Sequence, residues 1–62
     1  MQLTAEICKS QLSRLPNDIE KYCVIEDNGD TVTLLADGSY DVGEVEYILS
    51  ESNIQPQFLK IS

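Results

Sequence analysis

Residues 22–35 read YCVIEDNGDTVTLL, two runs of β-forming residues separated by Asp27-Asn28-Gly29-Asp30. Valine, isoleucine, threonine and tyrosine suit the pleated, half-buried surface of a strand. Asn-Gly between two such runs is the strongest short hairpin signal, because a type I′ turn needs positive φ at both central residues. Centred on Asn28-Gly29, the turn sets Asp27 against Asp30, Ile25 against Val32 and Cys23 against Leu34. One face is then apolar through Cys23, Ile25, Val32 and Leu34. The other carries Tyr22, Val24, Glu26, Thr31, Thr33 and Leu35. A slip of one residue would bring Thr33 beside Cys23, so turn chemistry and patterning agree.

The flanks are read from the same two periodicities. Upstream, Ile7, Cys8, Leu12 and Leu15 fall at helical spacing. They predict a helix with Thr4 as N-cap and Glu6 in its first turn, ended by Pro16. "PNDIEK" is then a loop or a single extra turn, with Ile19 turned inward. Downstream, "ADGSY" reads as a turn and Asp41 as the N-cap of a second helix. Glu44 would complete a capping box and Tyr40 would staple onto Val45. Val42, Val45, Ile48 and Leu49 form the apolar stripe of that helix. Asn53 suits a left-handed C-cap, and "QFLKI" closes the chain as a strand. The expectation is an α+β fold of order αββαβ, a single domain over residues 1–62. Its three-stranded antiparallel sheet has strand order 2-1-3, with both helices on the face of Cys23, Ile25, Val32 and Leu34.

Composition narrows the function. A chain of 62 residues that is 42% apolar and 24% charged has the balance of a small globular domain. No apolar run approaches a membrane span, and "MQLTAEICKSQ" lacks the basic and apolar regions of a secretory signal. Cys8 and Cys23 are too few for a disulfide framework and read as reduced core thiols, which implies a reducing compartment such as the cytoplasm; the alternative is one bridge between helix and strand. With no histidine, Ser–His–Asp and Cys–His catalysis are excluded, as is a closed zinc site. Gly29, Gly38 and Gly43 form no phosphate loop. Asp37, Ser39 and Asp41 match the first positions of a calcium loop. Val42 and Ile48 then stand where the glycine and the bidentate glutamate belong. The expectation is therefore a protein with no catalytic residues, cofactor or metal.

The charge pattern is what remains. The net charge is −7, and no residue between Lys21 and Lys60 is basic. That interval holds Glu26, Asp27, Asp30, Asp37, Asp41, Glu44, Glu46 and Glu51. Such a balance excludes a direct nucleic-acid binder and an anionic membrane surface, and it favours a basic partner. Glu44 and Glu51 lie about 20° apart around a helix, with Tyr47 beside them on the outer face and Glu46 on the opposite flank. An exposed tyrosine among carboxylates is of the type enriched at interface hot spots. The partner-binding set expected is Glu26, Asp27, Asp30, Asp37, Glu44, Glu46, Tyr47 and Glu51. The partner would be a larger protein with a basic surface, one that itself binds nucleic acid. In size and acidity the chain resembles the phage-encoded inhibitors that mimic DNA, some anti-restriction and anti-CRISPR proteins among them. That resemblance implies a competitive inhibitor whose carboxylates stand in for phosphates. The alternative is a structural or regulatory subunit that pairs through its sheet edge or through Tyr22, Val24 and Leu35. A homodimer is compatible with either reading.

Overall fold

The computed structural model describes residues 1–62. The chain runs through β1 (Gln2–Cys8), two 3-10 turns (Lys9–Arg14 and Ile19–Lys21), β2 (Val24–Asp27), β3 (Thr31–Asp37), α1 (Ser39–Glu51) and β4 (Phe58–Ile61). The strands form one antiparallel sheet in the order β2-β3-β1-β4. It is an α+β fold, as expected, with four strands in place of three and one α-helix in place of two.

The hairpin forms, but its register lies two residues from the expected one. Ile25 faces Leu34 and Asp27 faces Val32. Asn28 N–H donates to the Thr31 carbonyl at 2.8 Å, so Gly29 and Asp30 are the central pair. Of these only Gly29 has positive φ, at +97°, which is the sign pattern of a type II′ turn with glycine first. Side chains hold this turn. The Asp27 carboxylate accepts from the Gly29 N–H and from the Lys9 ammonium, both at 2.8 Å, and the Asn28 amide donates to the Thr33 hydroxyl. A two-residue shift leaves every side chain on its face. Val32 and Leu34 are buried and Ile25 is half-buried, on the side expected of them. Gly29→Val should cost about 1–3 kcal/mol, because a β-branched residue is strained at positive φ. A denaturation midpoint equal to the wild type would show that the turn is of another kind.

The first helix is replaced by a strand. Leu3, Ala5 and Ile7 are buried while Gln2, Thr4, Glu6 and Cys8 are not, a period of two. The helical spacing of residues 7, 8, 12 and 15 is real but spans two different elements. What decides between them is long-range: β1 is an inner strand, paired with β3 through Ala5↔Leu34 and with β4 through Ala5↔Leu59. A helix here would leave the ladders of both neighbours open. The strand ends where Cys8 N–H turns to the Gln11 side chain at 3.1 Å. The arm that follows tucks Leu15 and Ile19 under the sheet and ends in the buried Cys23, just before β2.

This also corrects the sheet order. The last strand does lie antiparallel at an edge, but beside β1 rather than beside the first strand of the hairpin. Helix α1 likewise starts earlier than expected. Gly38 at φ +93° is its N-cap and its carbonyl accepts from Val42 N–H at 2.9 Å. Asp41 is therefore not the cap but lies in the first turn, where it still meets the positive end of the helix dipole. Tyr40 is inside the helix and 70% exposed, so it makes no staple, and Glu44 closes no capping box. The C-terminus is as expected. Asn53 has φ +57°, its N–H donates to Ser50, and Ile54 N–H donates to Leu49. Those are the two bonds of a Schellman motif, and buried Ile54 and Leu49 share the core beneath it. Val42, Val45 and Leu49 face the sheet, and Ile48 is half-buried at the edge of the stripe.

Candidate functional site

The structure separates the eight expected binding residues into groups. Glu26 points from β2 to the open face of the sheet, away from α1. Asp27 and Asp30 are exposed at the hairpin tip, and Asp37 is exposed at the opposite end of β3. Glu44, Tyr47 and Glu51 share the solvent side of α1, and Glu46 is exposed on its other flank. One continuous face does not hold them all.

Asp27 is the member of the tract that is not free. Its ion pair with Lys9 is the only salt bridge of the molecule, and both partners are exposed. The Lys9 hydrogen bond, then the Gly29 N–H, hold its carboxyl below the ordinary range. A lowered carboxyl contributes stability above its unfolded pKa that is lost as pH falls through the folded one. Asp27 is thus a structural residue of the hairpin before it is a docking residue.

The helix carries the denser site. Tyr40, Glu44, Tyr47 and Glu51 recur at intervals of four, three and four residues, so they form one stripe opposite Val42, Val45 and Leu49. Tyr40 and Tyr47 are 70% and 63% exposed, which leaves both rings available. Beside the stripe, the Tyr22 ring lies 6.3 Å from that of Tyr40, tilted by 55°. Partial burial raises the Tyr22 phenol above its ordinary value, and Tyr40, Glu44, Asp18 and Asp41 add to the shift. Two tyrosines and three carboxylates therefore meet at one corner of α1. Asp18 and Tyr40 were not expected there. Asp18 lies outside the acidic tract and comes from the arm below the sheet, a long-range placement; Tyr40 was legible from its helical spacing to Glu44 and Tyr47.

One open groove of about 510 Å³ lies beside this corner, at the β2 end of the sheet. Tyr22, Val24 and Leu35 line it together with Thr4, Glu20 and Asp41. No three histidine, cysteine, aspartate or glutamate side chains converge in the geometry of a metal site. Asp37 ends a strand and Asp41 sits in a helix turn, so they share no ion-binding loop. No helix is long and apolar enough to cross a membrane.

Both cysteines are free thiols. Cys8 is not the core thiol expected: it is half-exposed on the open sheet face, opposite buried Leu3, Ala5 and Ile7, and accepts from the Gln57 amide at 2.9 Å. Cys23 is buried and its thiol donates to the Ile19 carbonyl. Burial, with Glu20 and Asp41 nearby, pushes the Cys23 thiol up to about 11. A raised acid stabilises the fold below its unfolded pKa, and that contribution is lost as pH rises through the folded one. Stability should fall between about pH 9 and 11 by roughly 2 kcal/mol. Thermal melts across this range should show a shallower fall in Cys23→Ala. Equal slopes in the two proteins would mean that Cys23 ionises freely in the folded state.

No family model matches the chain, and neither the curated proteins nor the solved structures gave a match.

Proposed function

We propose that this is a non-enzymatic binding protein that docks the acidic outer face of α1 on a basic surface of a larger protein. The observation that carries the reading is the stripe of Tyr40, Glu44, Tyr47 and Glu51. It sets two exposed aromatic rings between carboxylates that have no cation to pair with. The rings supply apolar area at low entropic cost, and the carboxylates supply complementarity to lysine and arginine. A surface that normally holds nucleic acid has that chemistry, so the protein would act as a competitive inhibitor, its carboxylates in the place of phosphates. Capture from the source cell with the wild-type chain as bait tests this. The bound protein should be basic, and added DNA or RNA should displace it. A captured partner that keeps hold of the chain in excess nucleic acid would show that phosphate mimicry is wrong.

A second reading is favoured by the groove at Tyr22, Val24 and Leu35, where Val24 is 63% exposed on the uncovered face of the sheet. There the chain would pair with a subunit through apolar contact, and salt would have little effect on the complex.

A further inference from the structure

The two edges of the sheet differ in chemistry. Strand β2 presents Glu26 and Asp27, with Glu20 close to its start. Strand β4 reads Phe58-Leu59-Lys60-Ile61, and residues 52–62 contain no aspartate or glutamate. Phe58, Leu59 and Ile61 are 51%, 48% and 40% exposed. Leu59 and Ile61 lie opposite Ala5 and Leu3, so they continue the inner face of the sheet beyond α1, while Phe58 and Lys60 sit on the open face.

The backbone of β4 is also half unused. Gln2 and Ser62 exchange both of their N–H···O bonds, at 2.7 and 2.9 Å. Antiparallel alternation makes Thr4–Lys60 the next bonded pair. The N–H and C=O groups of Leu59 and Ile61 therefore point away from β1, along an open edge. An edge of this kind, with apolar side chains on both faces, is a template for another strand.

We propose that the β4 edge pairs with the β4 edge of a second copy of this chain, making one sheet across a two-fold axis. Charge selects the occupant. A chain of net charge −7 repels its own copies wherever carboxylates meet, and β4 is the edge that has none. The nearest acid on the sheet, Glu6, lies one strand inward and accepts from the Thr31 hydroxyl at 3.1 Å. The sequence is self-complementary as well. A two-fold axis at Leu59 sets Leu59 against Leu59 and Phe58 against Lys60 in both directions, an isologous contact with a cation over an aromatic ring. Centring the axis on Lys60 would oppose like charges and is disfavoured. Lysine often guards an exposed edge; in the Leu59-centred register Phe58 accommodates it. The acidic face of α1 takes no part in the contact.

Sedimentation equilibrium of the full chain tests the pairing, joined to amide hydrogen exchange at low and high protein concentration. The dimer fraction should rise with concentration. Exchange at Leu59 and Ile61 should slow with it, while Ile25 and Asp27 on the other edge stay unchanged. Leu59→Pro removes an N–H that bonds nothing within the monomer, so the variant should fold and remain monomeric. Leu59→Glu should also remain monomeric, with two carboxylates across the axis. A wild type that stays monomeric up to about 1 mM would overturn the proposal. So would a dimer in which the Leu59 and Ile61 amides exchange as freely as in the monomer. Because the exchange measurement uses the wild type, it decides the matter even if a variant unfolds.

Discussion

Ala5→Asp should unfold the protein. Ala5 is fully buried at the centre of β1, between Leu34 of β3 and Leu59 of β4. A carboxylate there has no cation on the inner face of the sheet, since Lys60 of β4 lies on the open face, and the effective penalty of an uncompensated buried charge is several kcal/mol. The extra atoms also have no room in a packed core. A domain of 62 residues has about 3–9 kcal/mol of stability to lose. Cys8→Ser, on the half-exposed side of the same strand, should cost little. Circular dichroism melts of the two variants separate strand from helix. In the helical reading Cys8 is in the apolar stripe and Ala5 is not, so the order of damage would reverse.

The second large effect concerns binding. Glu44→Lys together with Glu51→Lys should lower the association rate for a basic partner at least about tenfold, while the domain stays folded. Tyr47→Ala should act differently. Loss of a central aromatic anchor costs about 2 kcal/mol or more and mainly speeds dissociation. Surface plasmon resonance with the captured partner separates the two kinetic signatures. Asp27 is the wrong residue to reverse, since Asp27→Lys would set two cations together where Lys9 and the Gly29 N–H now meet a carboxylate. Wild-type kinetics in the double lysine variant would return the acids to the role of a solvated surface.

The sequence was informative where the forces were local. The hairpin was legible because Asn28-Gly29 and the alternation around it act within a few residues; the two-residue shift came from Asp27, Asn28 and Thr33 side chains bonding within the turn. The left-handed Asn53 was legible for the same reason. The start of α1 was misplaced because Asp41 and Glu44 make a convincing capping box on paper, while Gly38 can enter the helix directly at positive φ. Strand β1 is not legible locally, because Leu3, Ala5 and Ile7 become a strand through pairing with β3 and β4, far along the chain. The same distance effect governs the candidate site. Glu44, Tyr47 and Glu51 were found from helical period alone. Asp18 comes near Tyr22, Tyr40 and Glu44, and Glu26 falls on the open face of the sheet away from α1, only once the arm and the sheet are in place.

In the proposed complex, carboxylates and tyrosines of α1 meet a basic surface. That contact is tested most directly by the salt dependence of the dissociation constant for the captured partner. Between about 50 and 300 mM salt, screening shortens from beyond the width of a contact to within it. Affinity should fall steeply over this range in the wild type and far less in the Glu44→Lys, Glu51→Lys variant. A dissociation constant that is flat with salt in both proteins would contradict this and place the contact on the apolar groove of Tyr22, Val24 and Leu35.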